Sequence, residues 1–431
     1  MLKFIDLFAG IGGFHEAMVK LSHECVFACE INESLAVLYE KNFNIKPARD
    51  IRKVNITEIP KFDILCAGFP CQPFSKAGKQ EGMNDSKRGN LFDEIVKILE
   101  YHQPSYFILE NVPFIAKHDN EQTWNYMKNK LENELKYHID HDFVSPLQLG
   151  IPQHRQRMFI IGSKNKIKNF NWEMPKLFNK IDVHEIIDKH PIDSVLIGQD
   201  EYKCLDLWQE FIDCIPKNIK IPSFPIWAME FGATYPYENH QTPYCLKKSE
   251  LNKYKGSFGK KIAGLTKKEQ LDSLPSYART EQSIFPNWKK NYIKYNREFY
   301  ESNKYHLKKI VDKISEYKSQ SWQKLEWNVA DGERNIRNYI IQFRASGIRV
   351  KKTDFFPSLV CTSTQIPIIG WENRYITRNE GKKLQSFNGI ELPANNNACF
   401  KALGNAVNVD IVYNIAKKLI PIEKENLILM K

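Results

Sequence analysis

A chain of 431 residues with a formal net charge of +11 is long enough for two or three domains, each with its own core. Its 42% hydrophobic and 26% charged residues are those of a globular protein, and no window nears the roughly 18 apolar residues of a membrane-spanning helix. The opening run Met1–Asp6 carries an acid and no small-residue cleavage site, so it does not read as a signal peptide, and a cytoplasmic location without membrane attachment is expected. The nine cysteines are odd in number, thinly spread and never spaced Cys-x2-Cys, which suits reduced thiols. His138-x2-His141 has no cysteine pair nearby, so no metal site is expected.

Along the first ~160 residues, strand-like and helix-like segments alternate. Lys3–Phe8 predicts a strand, Phe14–Lys20 a helix, Cys25–Cys29 a strand and Glu33–Asn42 a helix. Ile64–Ala67, Tyr106–Leu109 and Met158–Ile161 are further short apolar runs, and Asn90–Tyr101 and Glu121–Lys136 have helical spacing. The alternation predicts an α/β fold, a mostly parallel sheet with helices on both faces. From about Ser163 the pattern stops. Asn291–Gln323 is a long basic stretch without proline and reads as helix, and near Ile376 regularity returns with helices over Arg378–Phe387 and Val409–Leu419. Residues 164–375 hold 35 basic and 25 acidic side chains, which is nearly all of the excess charge. Within 241–325 the basic residues number 19 against 8 acidic, interleaved with the aromatics Tyr244, Phe258, Tyr277, Phe285, Trp288, Tyr292, Tyr295, Phe299, Tyr300, Tyr305, Tyr317 and Trp322. That mixture suits a polyanion surface, or a solvated helical face whose aromatics are core.

The first predicted strand runs into Phe8-Ala9-Gly10-Ile11-Gly12-Gly13-Phe14, where glycines let the backbone turn sharply and approach a ligand at a helix N-terminus. Glu30 ends the second strand, twenty residues after Gly10, where an acid can accept both hydroxyls of a ribose. Asp50 follows a third segment and could meet an adenine amino group. Loop, ribose acid and second acid in this order point to a nucleoside cofactor. The loop lacks Gly-x-Gly-x-x-Gly spacing and a P-loop lysine, which argues against NAD and ATP.

The strand Phe62–Ala67 runs into Gly68-Phe69-Pro70-Cys71-Gln72-Pro73-Phe74-Ser75, so Cys71 sits between two prolines at the edge where α/β sheets bind ligands. A lone cysteine is more often a packed thiol than a nucleophile. Glu110 is delivered in the same way by Tyr106–Leu109, ahead of Asn111 and Val112; taken singly it could be a surface carboxylate. Gln153, Arg155 and Arg157 alternate into a strand and so share one face, as a phosphate or base site or as an ion-paired surface strand.

Taken together these segments resemble the C5-cytosine DNA methyltransferase family, most closely its bacterial type II members. Asp6–Phe14 is similar to that family's cofactor loop, Gly68–Ser75 to its nucleophile loop, Glu110-Asn111-Val112 to its catalytic acid motif, and Gln153/Arg155/Arg157 to its Gln-x-Arg-x-Arg. Gly404-Asn405-Ala406-Val407 matches the C-terminal Gly-Asn motif, and Lys87–Phe92 and Arg378–Phe387 match two further blocks. The resemblance spans nearly all of residues 1–163 and about 376–420. Ile31 stands where many members place an aromatic beside the adenine, and Ala406 where many have serine.

The resemblance implies a Rossmann-like S-adenosylmethionine-dependent methyltransferase domain over 1–163, a target-recognition domain over 164–375 and a return to the catalytic domain over 376–431. It implies Cys71, Glu110, Arg155 and Arg157 as catalytic residues. S-adenosylmethionine would be held by Phe8, Gly10, Gly12, Gly13, Phe14, Glu30, Ile31, Asp50, Ile51, Pro70, Leu91, Asn405 and Ala406. Ser75, Lys76, Lys79, Arg88 and Gln153 would touch DNA, the first four from a basic mobile loop able to close over it. The implied partner is double-stranded DNA, read by a monomer, with a cognate restriction endonuclease as a possible second partner. A tRNA cytosine methyltransferase shares most of these motifs but has a smaller recognition region, and an inactive DNA-binding homologue would not need the motifs together.

Overall fold

The computed structural model describes residues 1–70, 91–178, 180–238, 241–359 and 365–421. These form two compact units, one of residues 1–191, 354–359 and 377–421, the other of residues 192–353 and 365–376.

The first unit is built on β1 (Lys3–Leu7), β2 (Glu24–Cys29), β3 (Ile64–Gly68), β4 (Tyr106–Asn111), β5 (His138–Val144) and β7 (Arg157–Ser163), with a short β6 (Gln153–His154) outside the main sheet. The strand order is β2-β1-β3-β4-β7-β5. Strands β1 to β4 run parallel, and β7 lies antiparallel to both β4 and β5. Ile64, Leu65, Cys66 and Ala67 of β3 and Phe107, Ile108 and Leu109 of β4 are fully buried. Strands covered on both faces need apolar side chains at every position, which is why these read as continuous apolar runs. Gly162 lies opposite Phe107, and a Cβ there would come within 2.1 Å of the Phe107 ring.

Helices α1 (Gly13–Val19), α2 (Glu33–Phe43), α3 (Leu91–His102) and α4 (Gln122–Lys128) connect these strands, α4 running on into a widened turn over Asn129–Glu134. The i, i+3, i+4 face of α3, formed by Phe92, Ile95, Ile98 and Leu99, packs with Ile5, Leu7, Leu65, Phe107 and Leu109. Strand β1 has β2 on one side and β3 on the other, so the chain reverses its winding between β1 and β3. Ligands of open α/β sheets bind at the carboxyl ends of the strands flanking such a reversal. Ala48 makes an isolated parallel bridge to Cys29, a vestigial further strand beside β2.

The second unit holds α5 (Gln199–Asp213), β8 (Ile226–Trp227), α6 (Lys248–Leu251), α7 (Lys267–Asp272), the 28-residue α8 (Asn287–Ile314), β9 (Lys324–Asn328), β10 (Ile340–Arg344) and β11 (Gly347–Lys351). The chain then gives β12 (Phe356–Pro357) to the first unit, where it pairs with β6, and returns to the second for β13 (Ile368–Ile369) and β14 (Arg374–Tyr375). The second sheet has the order β14-β13-β10-β11-β9-β8. Trp208, Phe211 and Ile212 of α5 and Leu307, Ile310, Val311 and Ile314 of α8 cover it. Helices α9 (Arg378–Leu384), α10 (Asn396–Asn405) and α11 (Val409–Leu419) belong to the first unit, with α11 packed on α1.

The compact units divide at other points than the motif boundaries. Residues 164–191 stay with the first unit: Leu177 N–H donates to the Leu149 carbonyl at 2.7 Å, and the Asp188 carboxylate takes Asn379 Nδ2 at 2.9 Å and Lys383 Nζ at 2.6 Å.

Candidate active site

The loop between β1 and α1 runs through left-handed backbone at Phe8 (φ +57°), Gly10 (φ +56°) and Gly12 (φ +85°). Phe8 adopts this conformation without being glycine, a strain of about 1–3 kcal/mol that persists where surroundings enforce it. Here Ala9 N–H donates to the Cys29 carbonyl at 3.0 Å and Gly12 N–H to the Ala9 carbonyl at 2.8 Å. A Cβ at Gly13 would lie 2.7 Å from Val407, whereas one at Gly10 would meet nothing within 4 Å.

Glu30 is buried at the end of β2 and is fixed by two amides. Oε2 accepts from Gly10 N–H at 2.8 Å and Oε1 from Asn32 N–H at 2.7 Å. Each oxygen keeps further acceptor capacity, so the carboxylate is set in orientation and still able to take a vicinal diol. Asp50 is one half of an ion pair: Arg52 Nε and Nη2 reach its oxygens at 2.9 and 2.8 Å, and these bonds hold its carboxyl below the usual range. Ile51 is buried in the core and Ile31 is 63% exposed.

Glu110, the penultimate residue of β4, lies directly across from Gly68 of β3. The nearest atoms to a Cβ built at Gly68 are Glu110 Oε2 and the Phe14 ring, each at 3.6 Å, so the acid stands beside the first turn of α1. Arg157 Nε lies 3.0 Å from Glu110 Oε1. Burial pushes the Glu110 carboxyl up, and the Arg157 and Arg155 guanidiniums oppose that shift.

Arg155 is buried and faces inward: Nη2 donates to the Ala406 carbonyl at 2.8 Å, and Nη1 to the Leu359 carbonyl and Ser358 Oγ, both at 3.4 Å. Gln153 is fully buried and its Oε1 accepts from Gln385 Nε2 at 3.3 Å. The alternation of residues 153–157 therefore holds: Gln153 and Arg155 are buried within the protein, with His154 and Gln156 exposed between them.

The family model for C-5 cytosine-specific DNA methylases matches residues 2–421. The chain belongs to that family. The type II methyltransferase M.BanI of Aneurinibacillus aneurinilyticus is 30% identical over 451 residues, covering 97% of this chain and 95% of the relative. M.HhaI of Haemophilus parahaemolyticus, also a type II methyltransferase, is 39% identical over 222 residues, which cover 51% of this chain and 67% of that protein. The crystal structure of a protein encoded within an E. coli prophage has the same fold, with a TM-score of 0.53 at 18% identity over 97% of this chain and 98% of the other. This methylase is thus a DNA cytosine-5 methyltransferase on a Rossmann-like α/β domain.

Of the methylase's predicted site residues, Phe8, Gly10, Gly12, Gly13, Phe14, Glu30, Glu110 and Arg157 come together at the carboxyl edge of β1, β2, β3 and β4. Pro70 is exposed just past β3, Leu91 begins α3, and Asn405 and Ala406 end α10. Cys71, Ser75, Lys76, Lys79 and Arg88 lie outside the described residues. Among the described residues no helix is long and apolar enough to cross a membrane and no three metal-ligating side chains cluster. Sequence reasoning passed over Asn111 as a site residue. Its Nδ2 donates to the Phe69 carbonyl at 3.2 Å, tying the ends of β3 and β4 just before Cys71, and its place beside Glu110 was the available signal.

Proposed function

We propose that this methylase transfers a methyl group from S-adenosylmethionine to C5 of a flipped-out cytosine in one duplex DNA sequence, as the modification enzyme of a restriction–modification system. The observation that carries the reading is Glu110, a buried acid paired with Arg157 and standing beside the glycine loop whose Gly10 amide is held by Glu30.

The donor set fits the cofactor. Glu30 is oriented for a ribose diol, the bare Cα of Gly10 leaves room for close approach, and Phe8, Phe14 and Ile31 offer apolar surface. Asn405, Ala406, Pro70, Leu91, Ile51 and the Asp50–Arg52 pair complete the set that would hold it. When bound, S-adenosylmethionine supplies an electrophilic sulfonium methyl.

Cytosine C5 is too weak a nucleophile to take that methyl unaided. Cys71 adds its thiolate to C6, forming the C6–Sγ bond and making C5 electron-rich. Glu110 holds N3 and the exocyclic amine, and its raised pKa keeps a proton available for N3 as the addition builds charge there. Arg157, already against Glu110, supports the pyrimidine O2, while Arg155 and Gln153 shape the site from behind. Once C5 is methylated, loss of its proton expels Cys71. The base must leave the duplex for any of this. Ser75, Lys76, Lys79 and Arg88 contact the DNA, and residues 164–375 supply phosphate contacts and base readout. The enzyme works as a monomer in the cytoplasm, alongside an endonuclease that cuts the same sequence.

Base-resolution mapping of 5-methylcytosine in DNA from a host expressing the chain tests the reading. A single methylated sequence is expected with the wild type, and none with Cys71→Ser, which keeps DNA binding. Methylation of tRNA alone, or full activity of Cys71→Ser, overturns it.

A further inference from the structure

Beneath the glycine loop lies a buried polar chain with no part in the chemistry above. Tyr39, from α2, is fully buried, and its hydroxyl donates to Asp6 Oδ2 at 3.1 Å. The same hydroxyl lies 2.7 Å from His15 Nδ1. With its proton given to Asp6, the hydroxyl is free to accept from a His15 Nδ1–H. Asp6 lies just before the loop, at the end of β1, and His15 just after it, in the first turn of α1. One hydroxyl therefore bridges both ends of the segment that turns through Phe8, Gly10 and Gly12. Burial keeps His15 neutral, its pKa lowered to about 4.

A second contact comes from one turn further along α2. The Phe43 ring stacks on His15 with centroids 4.0 Å apart, and a Cβ at Gly12 would fall 2.1 Å from it. The start of the same helix is tied to the loop through Glu30, which accepts from both Gly10 and Asn32.

We infer that Tyr39, Phe43 and His15 are positioning residues for the cofactor: α2 grips the loop through them and sets the backbone that S-adenosylmethionine meets. The inference rests on the cofactor reading of this crevice. Since none of the three belongs to the set proposed to touch cofactor or base, their loss should show in the cofactor's Kd and KM rather than in the affinity for DNA.

The test is calorimetric binding of S-adenosylhomocysteine to the full chain without DNA, alongside steady-state kinetics. Tyr39→Phe and His15→Leu are expected to weaken binding about tenfold and to raise the cofactor KM in step, the scale of one or two lost buried hydrogen bonds. His15→Gln, which restores a side-chain N–H donor, should recover most of it. Phe43→Leu leaves the hydrogen bonds intact and serves if Tyr39→Phe does not fold. Folded variants that bind the cofactor as the wild type does, or that lose kcat at unchanged cofactor Kd, overturn the inference alone. A wild type that binds no S-adenosylhomocysteine overturns the cofactor reading and this inference with it.

Discussion

Arg155 Nη2 donates to the Ala406 carbonyl at 2.8 Å, joining two motifs that lie 251 residues apart in the chain. The same guanidinium reaches the Leu359 carbonyl and Ser358 Oγ at 3.4 Å. One rigid fork thus holds the segment leading into β7, the segment after β12 and the loop that ends α10. Arginine is suited to this because it presents several donors in a fixed plane and stays charged when buried.

Arg155→Met should leave the Ala406 and Leu359 carbonyls without these donors and cost about 2–4 kcal/mol of stability. Arg155→Lys keeps the charge but loses the planar fork, so it should recover less than half of that loss. Urea unfolding reads both. An unchanged midpoint for Arg155→Met would show that the guanidinium contributes nothing to holding the three segments.

Glu110 makes a pH prediction whose sign follows from burial. Its folded pKa lies above the ordinary carboxyl value, with desolvation the larger cause and Arg157 and Arg155 opposing. The stability from this group is fully present below the unfolded pKa and is lost as pH rises through the raised folded value. Glu110→Gln cannot ionise and escapes that loss. The melting temperature of Glu110→Gln relative to wild type should therefore climb from pH 4.5 toward pH 8, while methyl transfer falls by about 10²–10⁴-fold. A difference in melting temperature that is flat or falls with pH contradicts the buried-acid account.

Much of the fold could be read in advance because β1, β3 and β4 are buried on both faces, which forces unbroken apolar runs. The glycines were legible too, since left-handed backbone at Gly10 and Gly12 excludes most other residues. The inserted segment was not. Three strands of its six-stranded sheet, β8, β13 and β14, have only two residues, too few to show alternation. Only α8 stood out there, as a long proline-free stretch. Within the site, Glu30 and Glu110 were legible from their places at strand ends. The inward turn of Gln153 and Arg155 was not, because their partners Gln385 and Ala406 are more than two hundred residues away. The pairing of Asp50 with Arg52 was not legible either, because it depends on a tight turn over Ile51–Lys53.

Glu30→Ala should weaken binding of the cofactor and not of DNA. It removes the acceptor for two backbone amides and for the proposed ribose diol, hydrogen bonds to a charged group worth about 1.5–3 kcal/mol each. The Kd for S-adenosylhomocysteine should rise by about 10²-fold, with DNA binding retained. Glu30→Gln keeps a single carbonyl acceptor and should fall between. Cofactor binding by Glu30→Ala within a factor of two of wild type would remove Glu30 from the site.

The basic excess of residues 241–325 makes a prediction about salt. Along α8, Lys294 and Lys304 are held near Glu298 and Glu301, and Lys313 is paired with Glu210 at 2.6 Å. Lys308 and Lys309 are exposed and have no carboxylate partner among the described residues. Paired lysines are already neutralised and release few counterions on meeting DNA, whereas unpaired ones contribute in full. A phosphate contact changes the slope of log K against log salt by about 0.9. Lys308→Ala/Lys309→Ala should therefore make the slope shallower by about 1–2, while Lys313→Ala should move it by less than ~0.5. The comparison needs a duplex with the methylated sequence and one without it. Equal loss on both duplexes assigns this face of α8 to the phosphate backbone, loss on the cognate duplex alone assigns it to base readout, and an unchanged slope on both removes the helix from the DNA interface.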